Sequence, residues 1–252
     1  FKTYTMIPKI IHYCWFGGNP LPQDAIEYIA SWKKYLPDYE IKEWNESNFD
    51  VQMIPYIKEA YEAKKYAFVS DYARFWILYH YGGLYFDTDV EVIRPLEDIV
   101  ARGAFMGCEL SPTDTQSIIT VAPGLGLGVE AKHPFYKEML DLYESLHFML
   151  PNGKLNLQTI VTITTERLMA HGLQAQKEEQ TVMGITVYPK DYFCPINVDG
   201  TITMSSHTYT IHHYAQSWRS PLHRKLREWV IRLGGNKLRT ALAKCYTKLT
   251  QK

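Results

Sequence analysis

The chain has 252 residues, enough for one large α/β domain with a full core or for two small ones. Apolar residues are 46% and charged residues 21%, which excludes a disordered chain and points to a soluble globular protein. Net charge is zero, but residues 221–252 carry nine Lys/Arg against Glu228 alone, so this tail is +8 and residues 1–220 are −8. No run of about 18 apolar residues is present, so no transmembrane helix is expected. Cys14, Cys108, Cys194 and Cys245 are dispersed without a CxxC, which reads as reduced thiols and a cytoplasmic protein. FKTYT at the start has no signal-peptide pattern, and Met6 is a candidate start.

In chain order, Ile7 to Phe16 is a buried-strand pattern closed by Gly17-Gly18. Gln23 to Tyr35 has helical periodicity through Ile26, Ile29 and Trp32. Pro37-Asp38 is a turn, and Tyr39 to Trp44 alternates as a second strand. This β–α–β opening is that of an α/β nucleotide-binding domain, in which ligands bind beyond the carboxyl ends of strands. Trp15 stands at such an end. A short helix over Tyr56 to Lys65 precedes a longer one over Ala67 to Tyr81, with Phe68, Tyr72, Phe75, Trp76 and Tyr79 as its core-facing stripe. Gly82-Gly83 stops that helix and reverses the chain. Leu84 to Val92 reads as a strand containing Asp87 and Asp89. Ile93 to Val100 is turn and short helix, and Gly103 to Val129 is strand-like with glycine-rich loops. Pro123 to Gly128 (PGLGLG) lacks the spacing and lysine of a phosphate loop. Helices over Pro134 to Leu146 and Asn156 to His171 follow, then strands over Thr181 to Pro189 and Thr208 to His213. The simplest division is a catalytic domain over 1–220 and a basic amphipathic helical tail over 221–252.

Asp87 and Asp89 organise the functional reading. In a strand, their spacing puts both carboxylates on one face. Two acids at the end of an apolar strand suit a hard divalent cation that keeps open positions for phosphate oxygens. LYFDTDV also fits a haloacid-dehalogenase-type phosphatase with Asp87 as nucleophile. Such an enzyme needs a later strand-terminal acid pair and usually carries this motif on its first strand, neither of which the sequence provides. A two-carboxylate site needs a third ligand, and imidazole is compatible with Mn²⁺. His212 and His213 end a late strand, and His213, five before Trp218, is the preferred ligand. Asp71 and Arg74, at i and i+3 on the long helix, form a surface salt bridge or face the pocket, where they would serve sugar hydroxyls and phosphate. Trp15 and Trp218 offer an apolar platform for a base and indole N–H groups for phosphate oxygens. The basic tail is a solvated face or a contact with an anionic membrane surface. No nucleic-acid module accompanies its charge.

IPKIIHYCWFGG, SDYARFWILYHYGGLYFDTDVEV and IHHYAQSW together resemble the DXD-containing sugar-transferase family. That family includes the yeast mannosyltransferase initiating outer chains and many bacterial capsule and O-antigen enzymes; the likeness extends, more distantly, to the glucosylating domain of clostridial toxins. The resemblance implies a GT-A type fold, an α/β mixed sheet flanked by helices. It implies retaining transfer of a hexose or N-acetylhexosamine from a nucleotide-sugar, UDP-linked or GDP-mannose, to a saccharide or lipid-linked saccharide. It also implies that Asp87 and Asp89 hold Mn²⁺ or Mg²⁺, with His213 the further ligand expected from the residues themselves. Trp15, Asn48, Ser70, Asp71, Arg74, Tyr85, Ser217 and Trp218 are implied donor-binding residues. The toxins have an acid where His213 stands. A non-catalytic nucleotide-sugar-binding relative is the remaining alternative. The expected place of action is the cytoplasm, with possible peripheral attachment at the inner membrane face.

Overall fold

A computed structural model describes residues 6–113, 117–197 and 200–214. Ser217, Trp218 and the tail over 221–252 lie outside the described residues. The chain opens with β1 (Ile10–Cys14), α1 (Gln23–Tyr35) and β2 (Glu40–Trp44). Next come α2 (Pro55–Glu62), α3 (Tyr66–Tyr81), β3 (Gly83–Tyr85), β4 (Val90–Val92) and α4 (Glu97–Val100). The middle holds β5 (Phe105–Leu110), β6 (Thr120–Val121), β7 (Leu127–Val129), α5 (Pro134–Glu144) and α6 (Ile160–Ala170). The last described elements are β8 (Gln180–Val182), β9 (Ile185–Tyr188), α7 (Lys190–Phe193) and β10 (Thr210–His212).

The main sheet runs β2-β1-β3-β7-β5-β9-β8, with β6 paired to β5. β1 is parallel to both β2 and β3, β7 is antiparallel to β3 and β5, and β9 is parallel to β5. This is the expected mixed α/β sheet flanked by helices. Alternation along its strands divides two cores. Ile11, Tyr13, Leu84, Phe105 and Tyr188 point to the core shared with Ile29 and Trp32 of α1 and Phe193 of α7. Cys14, Tyr85, Met106 and Val187 point to the other, with residues of α2, α3, α5 and α6. A near-continuous apolar run such as IIHYC is what a central strand covered on both faces requires.

α3 is buried around most of its girth, Asp71 and Arg74 included, so those two are not a surface pair. Its stop is backbone-driven. Gly82 and Gly83 have φ of 63° and 105°, and a Cβ on Gly83 would lie 2.7 Å from the Ile10 carbonyl oxygen.

Two strand expectations differ from the structure. Leu84 to Val92 is not one strand: it leaves the sheet after Tyr85, turns through Thr88-Asp89 with the Val90 N–H on the Asp87 carbonyl (3.0 Å), and resumes as β4. β4 pairs antiparallel with β10 in a separate ribbon. On the α1 side, β4 is held by the Trp32 indole N–H on the Val90 carbonyl (2.7 Å) and by the Val92 N–H on the Ser31 hydroxyl oxygen (2.9 Å). Thr181 to Pro189 is a hairpin rather than a strand, because Met183 and Gly184 take φ of 51° and 82°, the signature of a tight primed turn.

His12 is buried inside β1. Its Nε2 lies 3.0 Å from the Gly82 carbonyl and its Nδ1 accepts the Trp44 indole N–H at 3.1 Å, so the ring is neutral with the proton on Nε2. Burial lowers its pKa from 6.5 to about 4, Lys42 adds to the lowering, and the Gly82 hydrogen bond opposes it. The unfolded chain therefore binds a proton that the folded chain refuses between those values. His12's contribution is intact above pH 6.5 and fades as pH falls toward 4, by about 2–3 kcal/mol. Urea unfolding at pH 7 and 4.5 should show this loss, and His12→Gln should remove that share of it.

Candidate active site

The site forms at the carboxyl edge of the parallel strands β2, β1 and β3, where the chain leaves the sheet. Trp15 follows β1; its backbone N–H bonds the Trp44 carbonyl (2.9 Å) and its indole N–H the Asn19 carbonyl (2.6 Å). Asn48 follows β2. Its side chain organises its own loop, accepting the Asn45 N–H and donating to the Glu43 carbonyl, both at 2.9 Å.

Asp87 follows β3 and sits in a buried charge network. Arg74 places its guanidinium 3.0 Å from Asp71 and 3.3 Å from Asp87, while the Tyr85 hydroxyl donates to Asp87 at 3.2 Å. Arg74 is oriented by its own helix, Nε donating to the Ser70 carbonyl at 3.2 Å, and it lies over the Tyr85 ring at 4.9 Å. The Ser70 hydroxyl bonds the Tyr66 carbonyl one turn back. Burial pushes the Asp71 carboxyl up to about 7; Arg74 opposes this and Asp87 reinforces it. Burial disfavours the charge on Arg74 as well, but Asp87, Tyr85 and Asp71 reverse that and hold it protonated.

The expected position of His213 is corrected by the geometry. His212, not His213, faces the acids: its Nε2 is 3.1 Å from Asp89. One potential ligand atom from each of Asp87, Asp89 and His212 lies within 4.8 Å of the others. Two carboxylates and an imidazole form a donor set suited to Mn²⁺, so these residues fit a cation. Burial works against a charged His212, but Asp89 outweighs it and the net pKa shift is upward. His213 turns the other way because successive residues at a strand end face opposite sides. Its Nε2 binds Glu91 (2.9 Å), and its ring stacks on Tyr28 with centroids 4.5 Å apart. Its backbone N–H bonds the Asp89 carbonyl (2.9 Å).

Gly124 went unrecognised in the PGLGLG stretch. Its carbonyl accepts the Asp87 N–H at 3.0 Å, and a Cβ there would lie 1.9 Å from an Asp87 carboxylate oxygen. The glycine is needed for close approach rather than for an unusual φ. Gly124→Ala should displace the Asp87 carboxylate, cost about 1–3 kcal/mol in a thermal melt, and weaken Mn²⁺ binding about tenfold in a calorimetric titration. The sequence signal, had it been weighted, was a glycine-rich loop returning to an acid-bearing edge.

Residues 22–106 match the family described as glycosyltransferase sugar-binding region containing DXD motif. The resemblance read from the sequence therefore stands, and the matched region contains Asn48, Ser70, Asp71, Arg74, Tyr85, Asp87 and Asp89. Among relatives, a mannosyl phosphorylinositol ceramide synthase of Saccharomyces cerevisiae is 28% identical over 163 residues, covering 63% of this chain and 40% of that protein. An inositol phosphoceramide mannosyltransferase of Schizosaccharomyces pombe is 26% identical over 152 residues, covering 56% of this chain and 42% of its own length. The chain thus spans about two fifths of these curated relatives. Among solved structures, a glycosyltransferase involved in glycosylation of the major capsid of PBCV-1 superposes with a TM-score of 0.49 at 12% identity, over 87% of this chain and all of that one.

Proposed function

We propose that the chain is a metal-dependent, retaining glycosyltransferase using a nucleoside-diphosphate sugar. The observation that carries this reading is the convergence of Asp87, Asp89 and His212 at the carboxyl edge of β3, beside the buried Asp71–Arg74 pair. A hexose is the donor class, and the names of the fungal relatives make a mannosyl donor the first to try. Those names also favour an acceptor with an inositol-phosphate lipid headgroup over a capsule or O-antigen saccharide. Peripheral attachment through the +8 tail over 221–252 belongs to the same reading, since such an acceptor sits at a membrane surface. Flotation with anionic liposomes at low salt tests it, and absence of binding rejects it.

In this mechanism Asp87, Asp89 and His212 would hold the cation, which would supply positive charge against that of the departing diphosphate. Arg74 fixes Asp87 and adds positive field beneath the phosphates. Asp71 can accept from sugar hydroxyls. Trp15 supplies the apolar face for the base, and Trp218 and Ser217 supply donors to phosphate. Retention follows from same-face attack, with the leaving phosphate taking the acceptor proton.

A panel of UDP- and GDP-sugars, read by release of free nucleotide with and without Mn²⁺, tests the reading. Slow Mn²⁺-dependent release from one donor is expected. Donor binding without release under every condition would leave a binding protein, and a phosphoaspartate trapped at Asp87 would mark a phosphatase.

A further inference from the structure

A metal-ligating histidine is ordinarily oriented by a hydrogen bond from its second ring nitrogen. His212 lacks that arrangement among the described residues: its Nδ1 is buried without a hydrogen-bond partner. What touches the ring instead is Tyr214, edge to face, with centroids 4.2 Å apart and planes at 88°. Tyr214 has φ of 50°, a left-handed conformation that a bulky residue keeps only where its surroundings enforce it. The enforcement is visible at the hydroxyl, which donates to Glu109 at 2.8 Å and lies 3.1 Å from the Cys194 sulfur. Glu109 belongs to β5 of the main sheet and Cys194 caps α7, so Tyr214 ties the β4–β10 ribbon to the body of the protein.

We propose that Tyr214, anchored by Glu109, is the positioning residue of His212. It sets by ring packing the imidazole orientation that a hydrogen bond would otherwise set. The proposal rests on the reading of Asp87, Asp89 and His212 as a cation site. Removing the hydroxyl breaks the ring's ties to Glu109 and Cys194, and His212 can then swing from Asp89 while the main sheet stays intact.

Mn²⁺ affinity of the full chain, measured by electron paramagnetic resonance of the free ion without donor, is the test. Tyr214→Phe keeps the ring and removes the anchor; Glu109→Ala removes the acceptor; Glu109→Gln removes the charge but keeps an oxygen that can accept from the phenol. The expected result is weakening of at least fivefold for Tyr214→Phe and Glu109→Ala, with Glu109→Gln within twofold of the unaltered chain. Smaller losses in the first two would overturn the role. A Glu109→Gln loss equal to that of Glu109→Ala would also overturn it, since Glu109 would then act by its charge. A melting curve for each variant identifies one that does not fold; if Glu109→Ala fails in this way, Tyr214→Phe and Glu109→Gln decide alone. Asp89→Ala is the separate control: if it leaves Mn²⁺ binding unchanged, the cation reading itself fails, whatever Tyr214 does.

Discussion

Replacing Asp89 with alanine is expected to abolish Mn²⁺ binding and slow nucleotide release on the order of 10³-fold, corresponding to several kcal/mol of lost charge stabilisation at the leaving group, while leaving the fold in place. The expectation rests on where Asp89 sits. It lies in the turn after β3, outside both cores, with its side chain 3.1 Å from His212. Removing the carboxylate costs the cluster one of two hard oxygen ligands and frees His212 from its counter-charge. Asp87→Ala should lose activity as steeply but melt earlier, because Asp87 also receives Arg74 and Tyr85. Nucleotide-release rates and melting curves on both variants separate the roles. An Asp89→Ala chain with full Mn²⁺-dependent release would remove the basis of the proposed function.

Arg74→Met should be the most destabilising single change at the site, by about 3–5 kcal/mol, the usual consequence of stranding one half of a buried ion pair. Arg74 is 4% exposed. Methionine keeps much of its length but leaves Asp71 without its counter-ion, in surroundings that include the buried rings of Tyr56 and Tyr143. The sign of the pH dependence follows from Asp71. Its folded pKa of about 7 lies above the ordinary 3.8, so its favourable contribution is complete below 3.8 and disappears as pH rises toward 7. Without Arg74 that pKa climbs further, and the loss continues above 7. Urea unfolding of the variant should therefore show a deficit that grows between pH 7 and pH 8.5, where the unaltered chain has already passed through the Asp71 pKa and changes little on account of this group. A variant as stable as the parent at pH 8.5 would refute the account of the network. Asp71→Asn in the same background should recover part of the loss.

Much of the frame was legible because it depends on local pattern. The β1–α1–β2 opening, the long helix and its double-glycine stop all follow from periodicity and backbone preference, and the two acids fall where the chain leaves a strand. What escaped was set by distant partners. Leu84 to Val92 is built of good strand formers, and only the departure from the sheet after Tyr85 reveals a turn. Which of two adjacent histidines meets Asp89 depends on the β4–β10 register, His212 opposite Val90, and no property of either histidine encodes it. Asp71 and Arg74 fit a surface pair or a buried one until the helices packed around α3 are known. Gly124 and the Glu109–Tyr214 contact join segments whose proximity only the assembled sheet creates.

The ribbon of β4 and β10 joins segments far apart in sequence; its Glu91–His213 contact spans 122 positions. A cation gripped by Asp89 on one side and His212 on the other would close that long loop a second time. Ligand binding energy and resistance to opening then become a single quantity: at a hundredfold excess over its dissociation constant, a ligand adds about 2.7 kcal/mol against unfolding. If the chain binds a cation and a nucleotide-sugar as proposed, its survival in the presence of proteases would accordingly track the supply of both.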